Sequence, residues 1–328
     1  MSNYRWLVLA PVLVLFLCGC STTVQVHARF PANVAEAAPL RHVAVADFDG
    51  PEGDHFAYAL EAMLAAADFD GARYYTLMAG GARGRGGDSA SALRYGRDIR
   101  AEGIFYGRMQ SATFDNFPYD VKETRCVKKD ADGKCIRRED FFRPCLRRAF
   151  HMEVFPMLVR VRDGQVVYSS RKSAGAETSW CRGDSQPTSD DSMIDGAVYN
   201  ILGSIREDIA PYNTILNATV IEKTDGLPEA DAKAFDAAVK AAGKGDLSTA
   251  CHSWDAIHAS QPNHAWTTYN IGVCAEANGD FAGALSLYQK ARATAPKENS
   301  DITESIARAQ NLIAAQQELR KTKKSRKQ

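Results

Sequence analysis

The sequence predicts an α+β domain with helices on one face of a mixed, largely antiparallel sheet, followed by an all-α region of paired helices. Three observations carry this. Strand-like and amphipathic helical runs are interspersed between residues 22 and 222. Beyond residue 228 the composition turns alanine-rich and helical, with a 34-residue period. The 328 residues are 45% apolar and 24% charged, which is enough chain for two separate cores. The 40 basic side chains balance 40 acidic ones, so the chain lacks the broad electrostatic footprint of a nucleic-acid binder. A mean hydropathy of −0.31 excludes a polytopic membrane protein.

The first element is an address. Arg5 precedes a 12-residue apolar run, residues 6–17, which is too short for the roughly 20 residues that a membrane span requires. It ends in Leu17-Cys18-Gly19-Cys20, which resembles the lipobox of bacterial lipoproteins. The resemblance implies a signal peptide over residues 1–19 and acylation of Cys20. Ser21 in the following position favours the outer membrane, so the folded part is expected to face the periplasm. Several acyl chains exceed what stable anchoring needs.

Residues 20–40 read as a tether and first strand, with Val24 and Val26 on one face. The main α+β domain is expected over residues 41–222. Residues 41–48 are a buried strand closed by Gly50-Pro51, and residues 54–69 carry Phe56, Leu60, Met63, Leu64 and Ala67 at helical spacing. Residues 74–78 form a second strand. The glycine-rich stretch 80–87 holds no regular element and reads as a mobile loop. Residues 89–101 form a helix and residues 104–114 a long strand. A charged, cysteine-bearing insertion follows over residues 115–150, then a hairpin of 152–161 and 165–173 around Asp163-Gly164. Ser189 caps a helix with an apolar stripe of Ile194, Val198, Ile201, Leu202, Ile205 and Ile209, ended by Pro211. Residues 212–221 make the final strand.

Six cysteines follow Cys20 in a compartment that permits disulfides: Cys126, Cys135, Cys145, Cys181, Cys251 and Cys274. Cys126 and Cys135 flank an Asp132-Gly133 turn, so a hairpin pairs them and leaves Cys145 with Cys181. Cys251 and Cys274 lie on neighbouring predicted helices, where a staple fits. The spacings lack the tight pairs of zinc sites.

The order of elements resembles the curli-secretion lipoprotein family (CsgG-like). The matching segments are Val43-Ala44-Val45-Ala46-Asp47-Phe48, Leu93-Arg94-Tyr95-Gly96-Arg97 and Ala101-Glu102-Gly103-Ile104-Phe105-Tyr106-Gly107, and the resemblance covers residues 22–222. It implies an envelope lipoprotein that forms homo-oligomers.

Residues 229–319 resemble two tetratricopeptide (TPR) repeats and a capping helix. Gly245-Asp246 recurs as Gly279-Asp280, Ala250 as Ala284, Trp254 as Tyr288 and Pro262 as Pro296. Gly272, Ala275 and Ala291 supply the small residues that let paired helices approach. Such helices form a concave surface that receives peptides, and Trp266, Tyr269, Asn270 and Lys290 are the candidates to line it. Six cations, Arg320, Lys321, Lys323, Lys324, Arg326 and Lys327, crowd the last nine positions (residues 320–328) as a basic tail, expected to be solvated and disordered.

The sequence offers no catalytic, metal or cofactor signature. The 80–87 loop lacks the Lys-Ser/Thr of a phosphate loop. His252, His258 and His264 recur every six residues, the wrong spacing for one helix face, and Asp190-Asp191 suits the positive end of a helix dipole. The expected function is a scaffold or assembly factor that recruits a protein partner in the cell envelope. The alternative is a subunit of an oligomeric curli-type secretion channel. Against the channel stand the 16 charged side chains among the 29 residues 120–148, where neither strand parity offers a lipid face.

Overall fold

The computed structural model describes residues 21–78 and 88–325. Its elements in order are β1 (Thr23–Phe30), β2 (His42–Asp49), α1 (Gly53–Ala66), β3 (Asp68–Phe69), β4 (Ala72–Arg73), β5 (Thr76–Leu77), α2 (Ser89–Asp98), β6 (Gly103–Lys129), β7 (Cys135–Arg160), β8 (Val166–Ser169), β9 (Lys172–Cys181), α3 (Asp190–Ile209), β10 (Tyr212–Thr219), α4 (Glu229–Gly243), α5 (Leu247–Ser260), α6 (Ala265–Ala277), α7 (Phe281–Thr294) and α8 (Ser300–Ser325). The chain divides into two compact units. Residues 29–213 with the chain from Glu318 onward make one, and residues 214–317 with the chain up to Ala28 make the other. Strands β1 and β10 pair as a two-stranded sheet.

The first unit is α+β. Its main sheet runs β5-β2-β6-β7-β8, with β9 also on β7. Strand β2 is parallel to both β5 and β6, whereas β6–β7, β7–β8 and β7–β9 are antiparallel. The sheet is therefore mixed. Alternation along β2 sends Val43 and Val45 to one face and Ala44 and Ala46 to the other, and all four are buried. On the first face α1 packs Phe56, Leu60 and Leu64, and α3 packs Met193, Ala197, Ile201 and Ile205, against Phe105, Met152 and Leu158. On the second, α2 places Ala92 and Tyr95 over Ile104, Tyr106 and Val159. Helices thus cover both faces, not the single face expected. The reason is legible in β2: a run apolar at every position must be buried on both sides. Ser189 caps α3, accepting a hydrogen bond from the Ser192 amide.

Residues 115–150 are not an insertion between elements. They continue β6 and β7, which pair without interruption from Gly103–Arg160 out to Lys129–Cys135 apart from local bulges. Charge in a strand does not stop pairing when both faces meet water, and the apolar alternation that marks a half-buried strand is then missing. The segment expected as one strand over 165–173 is two. Strand β8 pairs with Met157–Val159 of β7, and β9 takes over along the same edge from Val154 to Cys145.

Helix α8 extends to Ser325, into the stretch expected as a disordered basic tail. Lysine and arginine are strong helix formers and sit well at a helix C-terminus, so the charge run propagates the helix.

Candidate functional site

The helical unit repeats its local geometry every 34 residues. Asp246 caps α5 by accepting from the Thr249 amide, and Asp280 caps α7 from the Gly283 amide. Each is preceded by a glycine with positive φ, Gly245 at +86° and Gly279 at +81°, a turn that only glycine makes without strain. Trp254 and Tyr288, at equivalent positions, are fully buried. Gly272 explains how close α6 and α7 come: a Cβ there would sit 2.6 Å from the Tyr288 ring. A disulfide joins Cys251 of α5 to Cys274 of α6.

The surface expected to receive a partner peptide holds a segment of this chain instead. Asn270 accepts from the Ile221 amide at 3.0 Å and donates to the Ile221 carbonyl at 2.9 Å, the bidentate pattern by which a side-chain amide grips an extended backbone. The Tyr269 hydroxyl donates to the Thr219 carbonyl at 2.9 Å. Tyr269 and Asn270 are fully buried, so they are corrected from partner-contacting to intramolecular residues. Their polar groups read as binding groups in the sequence, and the exit of β10 satisfies them. Trp266 is also buried, with Lys223 Nζ 5.2 Å from its ring centroid. Lys290 does not join the other three. It is exposed, with Nζ 3.4 Å from His258 Nε2.

Behind this groove lies an ion pair that the sequence reading missed. Glu276 has no exposed surface, and Arg308 of α8 reaches it at 2.6 Å through Nε and 2.8 Å through Nη2. The Tyr288 hydroxyl donates to the same carboxylate at 2.5 Å, and Ser305 links Arg308 to Tyr269. Burial, reinforced by the Glu276 charge, pushes the Tyr288 hydroxyl pKa well up. Burial, the largest single influence, would lower that of Arg308, but the hydrogen bonds to Glu276 and the Glu276 charge together outweigh it and raise it. The available signal was a lone glutamate in a helix buried nearly all round.

Beside Trp266 opens a cavity of about 340 Å³ lined by Asp225, Gln261, His264, Trp266, Thr294 and Pro296. His264 forms its wall and caps α6. Nδ1 accepts from the Thr267 amide at 3.2 Å, so the Nε2 proton faces the Asp225 carbonyl, also at 3.2 Å. Burial lowers the imidazole pKa below its ordinary 6.5, against the opposing pull of Asp225. The neutral ring is the folded form, so stability is lost as pH falls below 6.5 and the unfolded chain takes up the proton more readily. The melting temperature of the helical unit should accordingly drop between pH 7.5 and pH 5. His264→Asn, which retains a capping oxygen, should flatten that drop in a circular-dichroism melt. An unchanged pH slope would contradict the cap.

The α+β unit presents a second surface, the ribbon β6-β7-β9. Strand β2 leaves β6 after Arg108, so the outer edge of β6 from Gln110 to Lys129 pairs with nothing among the described residues. Strand β9 ends at Cys181, opposite Cys145. Beyond that point β6 and β7 pair only with each other, as an arm of about 10 residues per strand, some 33 Å at ~3.3 Å per residue. An isolated two-stranded ribbon is marginal in water. Disulfides Cys126–Cys135 and Cys145–Cys181 staple this one at its tip and base. The tip disulfide closes a short loop and is worth about 2–3 kcal/mol. Arg147 lies over Phe117, Arg125 over Phe141, and Arg148 ties the base to Asp190 of α3 with bonds of 2.8 and 2.5 Å.

Cys20 and the 80–87 loop lie outside the described residues, as do Arg326 and Lys327. No described helix is long and apolar enough to cross a membrane. Among the described residues, no three His, Cys, Asp or Glu side chains gather as a metal site.

No family model matches the chain, and no curated protein matches it. Among solved structures it is similar to the PelC dodecamer from Paraburkholderia phytofirmans, at 15% identity over 57% of this chain and 98% of that one, with a TM-score of 0.28. A point variant of the same dodecamer gives 15% identity over 56% and 96%, with a TM-score of 0.27.

Proposed function

We propose that this chain is an outer-membrane lipoprotein, anchored through Cys20 and facing the periplasm, that acts as a non-enzymatic assembly scaffold. It self-associates through a sheet edge, and its helical unit engages a protein partner. The observation that carries the reading is the unpaired outer edge of β6. Exposed edges of that length are templates for strand addition. Pro118 and the charges beyond it blunt the outer part, as edge prolines and lysines do. The stretch from Gln110 to Phe117 has one charge, Asp115, and is the part fit to pair. The cavity beside Trp266 is the helical unit's contribution, since its groove is filled by residues 219–221.

Two measurements test this. Cells fed labelled palmitate should label the wild-type protein and not Cys20→Ala, which should accumulate as precursor. Light scattering of the purified lipoprotein should report a closed oligomer in which amides of residues 110–117 are protected from exchange. A monomer with freely exchanging edge amides rejects self-association, and retained label rejects the anchor. The channel reading is weaker because each Lys or Arg facing lipid near the midplane costs roughly 2–4 kcal/mol. Discrete conductance steps in a planar bilayer, abolished by deleting residues 120–148, would replace the scaffold with a pore.

A further inference from the structure

The β6–β7 arm has no buried residue beyond Cys145 and is stapled by two disulfides. An element that contributes no core and needs staples is built for reach. At its tip, residues 125–138 hold six cations, Arg125, Lys128, Lys129, Lys134, Arg137 and Arg138, against two carboxylates, Asp130 and Asp132. Asp130 is occupied by the turn, its Oδ1 accepting from the amides of Asp132 and Lys134. The neighbouring carboxylates are also taken: Glu139 pairs with Arg137, Asp140 with Lys122, and Glu123 with Arg143. Arg125, Lys128, Lys129, Lys134 and Arg138 have no ion-pair partner among the described residues, and Asp132 is the only tip carboxylate free to oppose them. Interleaved with these cations are apolar side chains open to solvent, Val127 at 40%, Ile136 at 55% and Phe142 at 66% exposure.

We propose that this tip binds an anionic membrane surface: the cations meet lipid phosphates, and Val127 and Ile136 enter the headgroup–acyl boundary. Unneutralised Lys and Arg beside exposed apolar groups are the two components of interfacial binding. The contact is peripheral, so it avoids the cost of burying charge at the bilayer midplane. It is independent of the acyl anchor and adds a second point of attachment.

The test uses the chain from Ser21 onward, which contains every described residue but not the leader or Cys20. It should co-sediment with vesicles of phosphatidylglycerol and phosphatidylethanolamine, more weakly as salt rises, and not with phosphatidylcholine vesicles. Reversing Lys128, Lys129, Lys134 and Arg138 to Glu together should weaken binding by about a hundredfold or more, since each cation near such a surface is worth roughly fivefold. Ile136→Asp alone should weaken it measurably, and truncation after Leu319 should leave it in place. Circular dichroism monitors folding, and glutamine replacements at the same four sites substitute if the reversed variant is unstable. Binding that survives both tip variants, or vanishes with the truncation alone, overturns the proposal. So does equal binding to neutral vesicles. Tight capture of soluble polyglutamate, indifferent to Ile136→Asp, reassigns the tip to an acidic protein segment.

Discussion

Replacing Glu276 by alanine is expected to destabilise the helical unit by about 3–5 kcal/mol, the usual cost of stranding one member of a buried ion pair. The carboxylate has no exposed surface and receives Arg308 Nε and Nη2 and the Tyr288 hydroxyl. Its removal leaves the Tyr288 hydroxyl and the charged Arg308 Nε without that acceptor, and leaves Arg308 Nη2 with Ser305 alone. Arg308 retains some access to water, 19% of its side chain, which softens the penalty without removing it. For a unit of this size the loss corresponds to a fall of roughly 15–30 °C in melting temperature. The decisive control is the double replacement Glu276→Met, Arg308→Met. Removing both charges removes the desolvation cost as well, so the double variant should be clearly more stable than Glu276→Ala. A double variant as unstable as the single one would mean that the pair stabilises the fold in its own right. A single variant within 1 kcal/mol of wild type would mean that the network is not formed.

The second large effect is expected in the α+β unit. Asp208 near the end of α3 accepts from Lys172 Nζ at 2.6 Å, the Tyr168 hydroxyl at 3.0 Å and Asn33 Nδ2 at 3.2 Å. One carboxylate thus ties α3 to β8, β9 and the loop after β1. Asp208→Ala should cost about 2–3 kcal/mol, less than Glu276→Ala because both charges keep partial contact with water. Burial pushes the Asp208 carboxyl pKa up, but the hydrogen bonds from Lys172, Asn33 and Tyr168, together with the Lys172 charge, outweigh it and hold the group below its ordinary 3.8. A depressed carboxyl contributes stability that is complete above the unfolded value and is lost as pH falls through the folded one. Wild-type protein should therefore lose stability below about pH 3.8 with a component that Asp208→Asn lacks. Parallel acid-unfolding curves for the two proteins would refute the linkage.

Much of the architecture was legible because it rests on local rules. The caps at Ser189, Asp246 and Asp280 each obey a pattern contained within four residues. The 34-residue register of Gly245, Trp254, Gly279 and Tyr288 repeats because the same packing problem is solved twice. What was not legible depended on where water is. The outer part of residues 115–150 has no apolar alternation because a strand wetted on both faces needs none, yet the stretch pairs along its length apart from local bulges. The placement of helices on a single face fails because the alanines of β2 already require cover on the second side, which α2 provides.

The sequence by itself determined the α+β class and the 34-residue register of the paired helices, because each is written in spacing along the chain. Tertiary structure alone decided what the polar residues of the helical unit do. Tyr269 and Asn270 have the chemistry of a peptide-binding surface, but it is spent on Thr219 and Ile221. Glu276 and Arg308, 32 residues apart, meet with the carboxylate wholly buried. Hydrogen-bond donors and acceptors are the same groups whether they face a partner or their own backbone. Only the folded path of the chain determines which of the two occupies them.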